Sequence, residues 1–366
     1  MADVGAPADR LERLAQAVSE RGLGVLIVSA PANVRWLTGF TGSSGVAIVA
    51  ADGAGSFLTD FRYDEQSAAE LDGSWQREIV SGELLGPGIA GRFPDLGERS
   101  VGYDDRHASV HAAQALAAAI PDGASLEPAG GLLEDLRAVK DAGEVAAIRA
   151  AAELADAALA AVLARGLVGR TEADVALDLE FTMRRAGAEA ISFEPIVAAG
   201  AHGALPHASP RAVAIPRDVL VTIDWGAQLD GYCSDCTRTV ATGDVTGEPR
   251  AIYDIVLESQ LAGLAAVRPG PTGREVDAVA RAVIDGAGYA ERFGHGLGHG
   301  VGLEVHEGPR LSKLGEQELV AGMVVTVEPG IYLPGIAGVR IEDLVLVTAA
   351  GHDVLNTLPK DLAVVD

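Results

Sequence analysis

The sequence predicts two domains, an N-terminal α/β domain and a larger strand-rich α+β domain. Three observations predict it. The first 130 residues alternate segments of helical period with short apolar runs of strand type. Pro128-Ala-Gly-Gly131 then interrupts the pattern with turn-forming residues. From about Ile191 onward, strand-like runs dominate and are broken by only two more helices. The expected division is therefore 1–130 and 131–366.

Taken in order, Leu11, Leu14, Ala15 and Val18 repeat with helical period. Val25 to Val28, Gly45 to Val49 and Ser56 to Thr59 read as strands, and His107 to Ala119 as a helix. Leu132 to Val139 forms a short connecting helix. Asp141 with Glu144 three residues later is a capping box, and the alanine-rich run after it predicts a long helix to Arg165. Thr171 with Asp174 opens another helix through about Arg185. The two late helices are expected over 249–267 and 273–286.

Composition excludes several classes of function. A formal charge of −24 leaves no basic stripe for nucleic acid. No apolar stretch approaches the ~20 residues of a membrane span, and the segment from Met1 to Pro7 has neither a basic region nor an apolar signal core. Cytoplasm is the expected location. Cys233 and Cys236 form a single C-x-x-C on a strand-like segment with no second pair, so they are read as reduced strand cysteines whose thiols diverge.

Five residues capable of binding metal punctuate the second domain. Asp224 closes the apolar run Val219 to Ile223, and Asp235 lies within Tyr232-Cys-Ser-Asp-Cys-Thr-Arg-Thr239, so the two carboxylates can project from neighbouring strands. His299 follows in His295-Gly-Leu-Gly-His-Gly-Val-Gly-Leu-Glu-Val-His306, Glu328 in Val327-Glu-Pro-Gly330, and Glu342 in Val339-Arg-Ile-Glu-Asp343. Four carboxylates and one imidazole are hard donors that suit a pair of divalent ions better than a thiolate zinc site. The glycines from Gly294 to Gly302 fit no phosphate-loop register, and alternate glycines instead permit close approach of backbone and ligand. His306-Glu307 does not begin H-E-x-x-H, because residue 310 is Arg.

In this order and with these neighbours, the set resembles the pita-bread metallopeptidases, and Tyr232 to Thr239, Gly298 to Glu307 and Val339 to Asp343 resemble their proline-specific branch. Asn33 to Gly45 and Thr59 to Gln66 are similar to the creatinase-type domain that precedes the catalytic domain there. The resemblance implies an α/β creatinase-like domain followed by an α+β pita-bread catalytic domain of two pseudo-symmetric halves. It makes Asp224 a ligand of the first metal, Asp235 and Glu342 bridges, and His299 and Glu328 ligands of the second. His207 and His306 match histidines that contact the scissile carbonyl, His295 one that lines the substrate pocket, and Tyr332 a tyrosine beside the site. Arg340 can orient the carboxylates. Glu304 and Glu307 are expected to serve structure, and His107, His111, His202 and His352 have no motif support.

The implied activity is metal-dependent hydrolysis of the bond before proline, as an Xaa-Pro aminopeptidase first and an Xaa-Pro dipeptidase second. A tertiary Xaa-Pro amide lacks the N–H that general peptidases use, so a dedicated pocket is needed. Aminopeptidase stands first because no second arginine is dedicated to a substrate carboxylate. A non-catalytic binding protein or a metal-free creatinase-like amidinohydrolase is disfavoured by the complete ligand set. Manganese is the expected metal, with cobalt or zinc able to substitute. The partners are proline-containing peptides and a second copy of the chain, with the Trp36 to Gly45 segment, including exposed Trp36 and Phe40, as the dimer contact.

Overall fold

The computed structural model describes residues 7–93, 96 and 99–366, so the N-terminal residues before Pro7 read above lie outside it. The chain divides into two compact units, Met1–Arg137 and Ala138–Asp366.

The first unit contains, in chain order, α1 (Pro7–Glu20), β1 (Leu23–Val28), α2 (Pro31–Thr38), β2 (Val46–Ala50), β3 (Gly55–Thr59), α3 (Asp64–Glu70), β4 (Trp75–Ile79), β5 (Ser100–Tyr103), α4 (Val110–Ala119), β6 (Leu126–Pro128) and α5 (Leu132–Ala138). Its strands form one mixed sheet in the order β4-β3-β2-β1-β5-β6, in which β1 runs antiparallel to β2 and parallel to β5. The continuous apolar run of β1 is buried throughout, as a central strand covered on both faces requires. The helical stripe read in α1 buries Leu11, Leu14, Ala15 and Val18.

Two expectations fail in this unit. Helices α2 and α3 were not anticipated, although α2 has Pro31 in its first turn and closes on Gly39, which takes the left-handed φ of 78° and donates its N–H to Arg35 O. Trp36 and Phe40 are not exposed: each is 1% accessible. The Arg10 guanidinium lies 5.1 Å from the Trp36 ring, and Phe40 packs edge-on against Phe57 and Tyr63. Aromatic rings committed to their own core cannot serve as a dimer contact.

The second unit begins with α6 (Ala142–Leu163) and α7 (Glu172–Arg185), each opened by the capping box expected from sequence. There follow β7 (Ala190–Ile191), β8 (Ile196–Ala199), β9 (Leu220–Trp225), β10 (Ala227–Leu229), β11 (Tyr232–Cys233), β12 (Cys236–Ala241), α8 (Glu248–Ala266), α9 (Gly273–Gly286), β13 (Gly298–Gly300), β14 (Glu307–Leu311), β15 (Val324–Val327), β16 (Gly330–Leu333), β17 (Ala337–Arg340), β18 (Asp343–Thr348) and β19 (Gly351–Val354).

Two halves repeat one arrangement, a helix pair on an antiparallel sheet. In the first, α6 and α7 pack Leu159, Val175, Leu179 and Met183 against Val197, Val221, Ile223 and Val240 of the sheet β12-β9-β8. In the second, α8 and α9 pack Val256, Val276, Ala280 and Ile284 against Val325, Val327 and Val345 of the sheet β14-β13-β15-β18-β19. Each half thus presents one antiparallel sheet whose strand ends carry the polar residues of interest.

Candidate metal centre

Asp224 is the penultimate residue of β9, opposite Thr237 of β12 in an antiparallel pair. Asp235 sits in the two-residue break between β11 and β12, where the strand expected to be continuous is interrupted. Glu342 occupies the equivalent gap between β17 and β18. Residues in such gaps escape the alternating pleat, so their side chains turn toward one point. Asp224, Asp235 and Glu342 each offer a carboxylate oxygen within 4.8 Å of the others.

The half that supplies Glu342 also contributes His299 and Glu328. His299 Nε2 lies 3.6 Å from Asp235 Oδ2 and 3.4 Å from Glu328 Oε1. Thr326 holds both: its hydroxyl accepts from the His299 backbone N–H at 3.1 Å and donates to Glu328 Oε1 at 3.1 Å. The alternate glycines make this approach possible, because a Cβ at Gly298 would meet Thr326 O at 2.0 Å and one at Gly300 would meet Gly308 O at 2.0 Å. All five candidate ligands are therefore brought together.

Arg340 spans the cluster. Its Nη2 pairs with Asp224 Oδ2 at 2.7 Å, Nη1 donates to the Tyr332 hydroxyl at 2.9 Å, and Nε donates to Thr237 Oγ1 at 3.0 Å. Thr237 in turn donates to Glu342 Oε2 at 2.7 Å. Arg238 supports Glu342 from behind, donating to its backbone carbonyl while pairing with buried Asp343 at 2.7 Å. Thr237, Thr326 and Arg238 had not been singled out from sequence. Thr326 was findable, since it lies two residues before Glu328 on the same strand face.

The electrostatics are those of charges gathered against their own repulsion. Burial first, then the charges of Glu342, Asp224 and Glu328, pushes the Asp235 carboxyl well above its ordinary range. Burial and the same neighbours raise Glu342 as well, and Glu328 is raised mainly by burial. Arg340 stays charged: burial opposes its charge, but Tyr332, Asp224, Glu328 and Glu342 outweigh it. The donor set fits divalent cations. Asp224 Oδ1 is buried with no hydrogen-bond partner among the described residues, and oxygen-rich anionic pockets of this kind match hard ions.

The histidines grade outward from this cluster. His295 Nε2 meets the Tyr332 hydroxyl at 2.9 Å, and the His299 and His306 rings touch at a tilt of 52° with centroids 4.3 Å apart. His306 and His207 are exposed. His207 is nonetheless near, since Pro206 O, one residue before it, accepts from Arg340 Nη1 at 3.2 Å; the imidazoles of His295 and His306 are lowered in pKa, mainly by desolvation. Glu307 has the structural place expected of it, in a buried pair with Lys140 at 3.1 Å. His107 pairs with Glu134, and His202 with Glu172. Both cysteines are free, buried and turned apart, Cys233 toward Leu303 O and Cys236 toward Glu342 O, and burial pushes the Cys233 thiol up to about 11.

Comparison with known proteins agrees with the fold and the acidic cluster. Residues 146–349 match the model of Metallopeptidase family M24, and residues 10–139 that of the Creatinase/Prolidase N-terminal domain. The chain belongs to metallopeptidase family M24, with the creatinase-type domain and pita-bread catalytic fold of that family. It is 35% identical over 358 residues to an Xaa-Pro dipeptidase of Pyrococcus furiosus, covering 97% of this chain and 99% of that one. Among solved structures it is similar to an Xaa-Pro dipeptidase from Bacillus anthracis, at 39% identity and a TM-score of 0.94, covering 98% of this chain and 100% of that one. It is also similar to an X-Pro aminopeptidase from Thermotoga maritima, at 35% identity and a TM-score of 0.87, covering 97% and 99%. Divalent metal dependence is implied by the family, and among the described residues no helix is long and apolar enough to cross a membrane.

Proposed function

We propose that this enzyme is an Xaa-Pro dipeptidase whose catalytic domain holds two divalent ions on Asp224, Asp235, His299, Glu328 and Glu342. The convergence of Asp224, Asp235 and Glu342 within 4.8 Å supports the metal assignment. The full-length similarity to dipeptidases from two organisms supports the substrate class and moves the dipeptidase ahead of the aminopeptidase that the sequence had put first. Manganese suits these hard donors best, with cobalt or zinc as substitutes. The expected domain division at 130/131, cytoplasmic location and homodimer are kept in this reading, without Trp36 and Phe40 at the dimer contact.

When bound, the ions supply Lewis-acid polarisation and a water acidified from ~15.7 toward neutrality. The chain's own residues do the remaining work. Thr237 and Arg340 fix the orientations of Glu342 and Asp224, so the carboxylates cannot rotate away from one another. Burial favours the neutral form of His295, and partial desolvation with the His299 ring beside it favours that of His306, the form in which an imidazole N–H donates without carrying a net charge. His306 and His207 donate to the developing charge on the scissile carbonyl oxygen, while His295 and Tyr332 line the substrate side. As the C–N bond breaks, the attacking water's oxygen stays on the acyl carbon as the new carboxylate and one of its protons passes to the proline nitrogen, which departs as a secondary amine.

The test compares kcat/KM for an Xaa-Pro dipeptide with that for the same dipeptide extended at its C-terminus by one or two residues. A dipeptidase strongly prefers the bare dipeptide. Equal or better cleavage of the extended peptides would make the enzyme an aminopeptidase, the second reading favoured by the likeness to the Thermotoga maritima structure.

A further inference from the structure

We propose that Glu172, the first residue of α7, is the positioning residue for His207. The inference rests on the reading in which His207 contacts the scissile carbonyl. Outside the metal cluster, Glu172 is a heavily bonded buried carboxylate: its side chain is fully buried and accepts from both ends of the segment 199–211. At the upstream end, the Ala199 backbone N–H donates to Oε1 at 2.9 Å and His202 Nδ1 lies 3.0 Å from Oε2. At the downstream end, Arg211 donates its backbone N–H at 3.0 Å, Nε at 2.9 Å and Nη2 at 2.8 Å. One carboxylate thus closes a loop of about a dozen residues at its neck. Fixing both necks of a loop shrinks the ensemble its tip can explore.

The tip is tied to the metal cluster by a separate contact. Arg340, which pairs with Asp224, also donates Nη1 to Pro206 O at 3.2 Å, one residue before His207. The middle of the loop presses on β17 so closely that a Cβ at Gly338 would meet Gly203 O at 1.8 Å. Ala208 is buried while His207 is exposed, so the backbone is pinned and only the imidazole projects. An exposed imidazole without such a frame would sample many positions, and a displacement of about 1 Å can cost about 10²-fold in rate. The charge needed for the clamp is secure: burial opposes it, but the Arg211 and backbone donors hold the Glu172 carboxyl down at about 2.

The experiment is a double-mutant cycle on the metal-loaded enzyme with Glu172→Gln and His207→Ala, read by kcat, KM, metal content and amide exchange of residues 203–209. Glu172→Gln is expected to lower kcat about 10-fold to 10²-fold with metal content and KM unchanged, and to speed exchange in the loop. In the His207→Ala background the same substitution should lower kcat no further, because the group it positions is gone. Arg211→Gln, at a more exposed side chain, supplies the same cycle should Glu172→Gln not fold. Multiplicative losses in the double variant, or unchanged exchange and kcat in Glu172→Gln, overturn the clamp while leaving the role of His207 standing. Full activity in His207→Ala overturns that role, and the proposal with it.

Discussion

The buried and exposed ends of the candidate site differ in kind. At the buried end, Asp235 and Glu342 are 5% and 1% accessible, and burial together with the neighbouring carboxylates raises the proton affinity of each. At the exposed end, His306 and His207 face solvent. Like charges at low exposure are tolerable only with cations to share, whereas solvent-facing imidazoles need none. This contrast matches the division of labour in the proposed function, with one end holding positive charge and the other meeting the scissile carbonyl.

The largest effect should come from breaking the buried end. If two ions share these carboxylates as proposed, Asp235→Asn or Glu342→Gln should lose both together and activity should fall by orders of magnitude, checked by elemental analysis and peptide hydrolysis on the same sample. Chelation of the native enzyme should abolish hydrolysis likewise, and manganese should restore it.

A smaller effect is expected one step out. Thr237→Val keeps the shape but strands Glu342 Oε2 and Arg340 Nε, which now share the hydroxyl. Metal affinity should drop about 10-fold to 100-fold, the usual cost of losing a group that orients a ligand, and a metal titration reads it directly.

The smallest is a pH dependence of stability. Asp235, Glu342 and Glu328 have raised carboxyls in the metal-free fold. A raised acid stabilises the fold below the ordinary carboxylate range, and that stability is lost as pH rises through the raised value. The melting temperature of metal-free enzyme should therefore fall as pH climbs from mildly acidic to neutral, and added metal should restore more stability at neutral than at acid pH. A gap between loaded and stripped protein that does not widen with pH would show that the carboxylates are not in mutual repulsion.

The same contrast marks what could be read from sequence. The helices with capping boxes at Asp141 and Thr171 were legible because local side-chain chemistry starts them. Helices α2 and α3 were not, because short helices with mixed residues are stabilised by packing on the sheet rather than by propensity, although Pro31 and Gly39 marked the ends of α2. The candidate ligands were legible from their motifs, whereas Glu172 was not: its partners lie 27 to 39 residues away and share no motif with it. Aminopeptidase and dipeptidase were inseparable because the absence of a dedicated arginine says little about where a substrate carboxylate is bound.

The division of labour is tested most directly by metal content and turnover measured side by side in His299→Ala and His306→Ala. His299→Ala should lose metal, while His306→Ala should keep it and lose about 10²–10³ in turnover, the scale of one donor to a developing oxyanion. Equal metal loss in both variants would contradict that division.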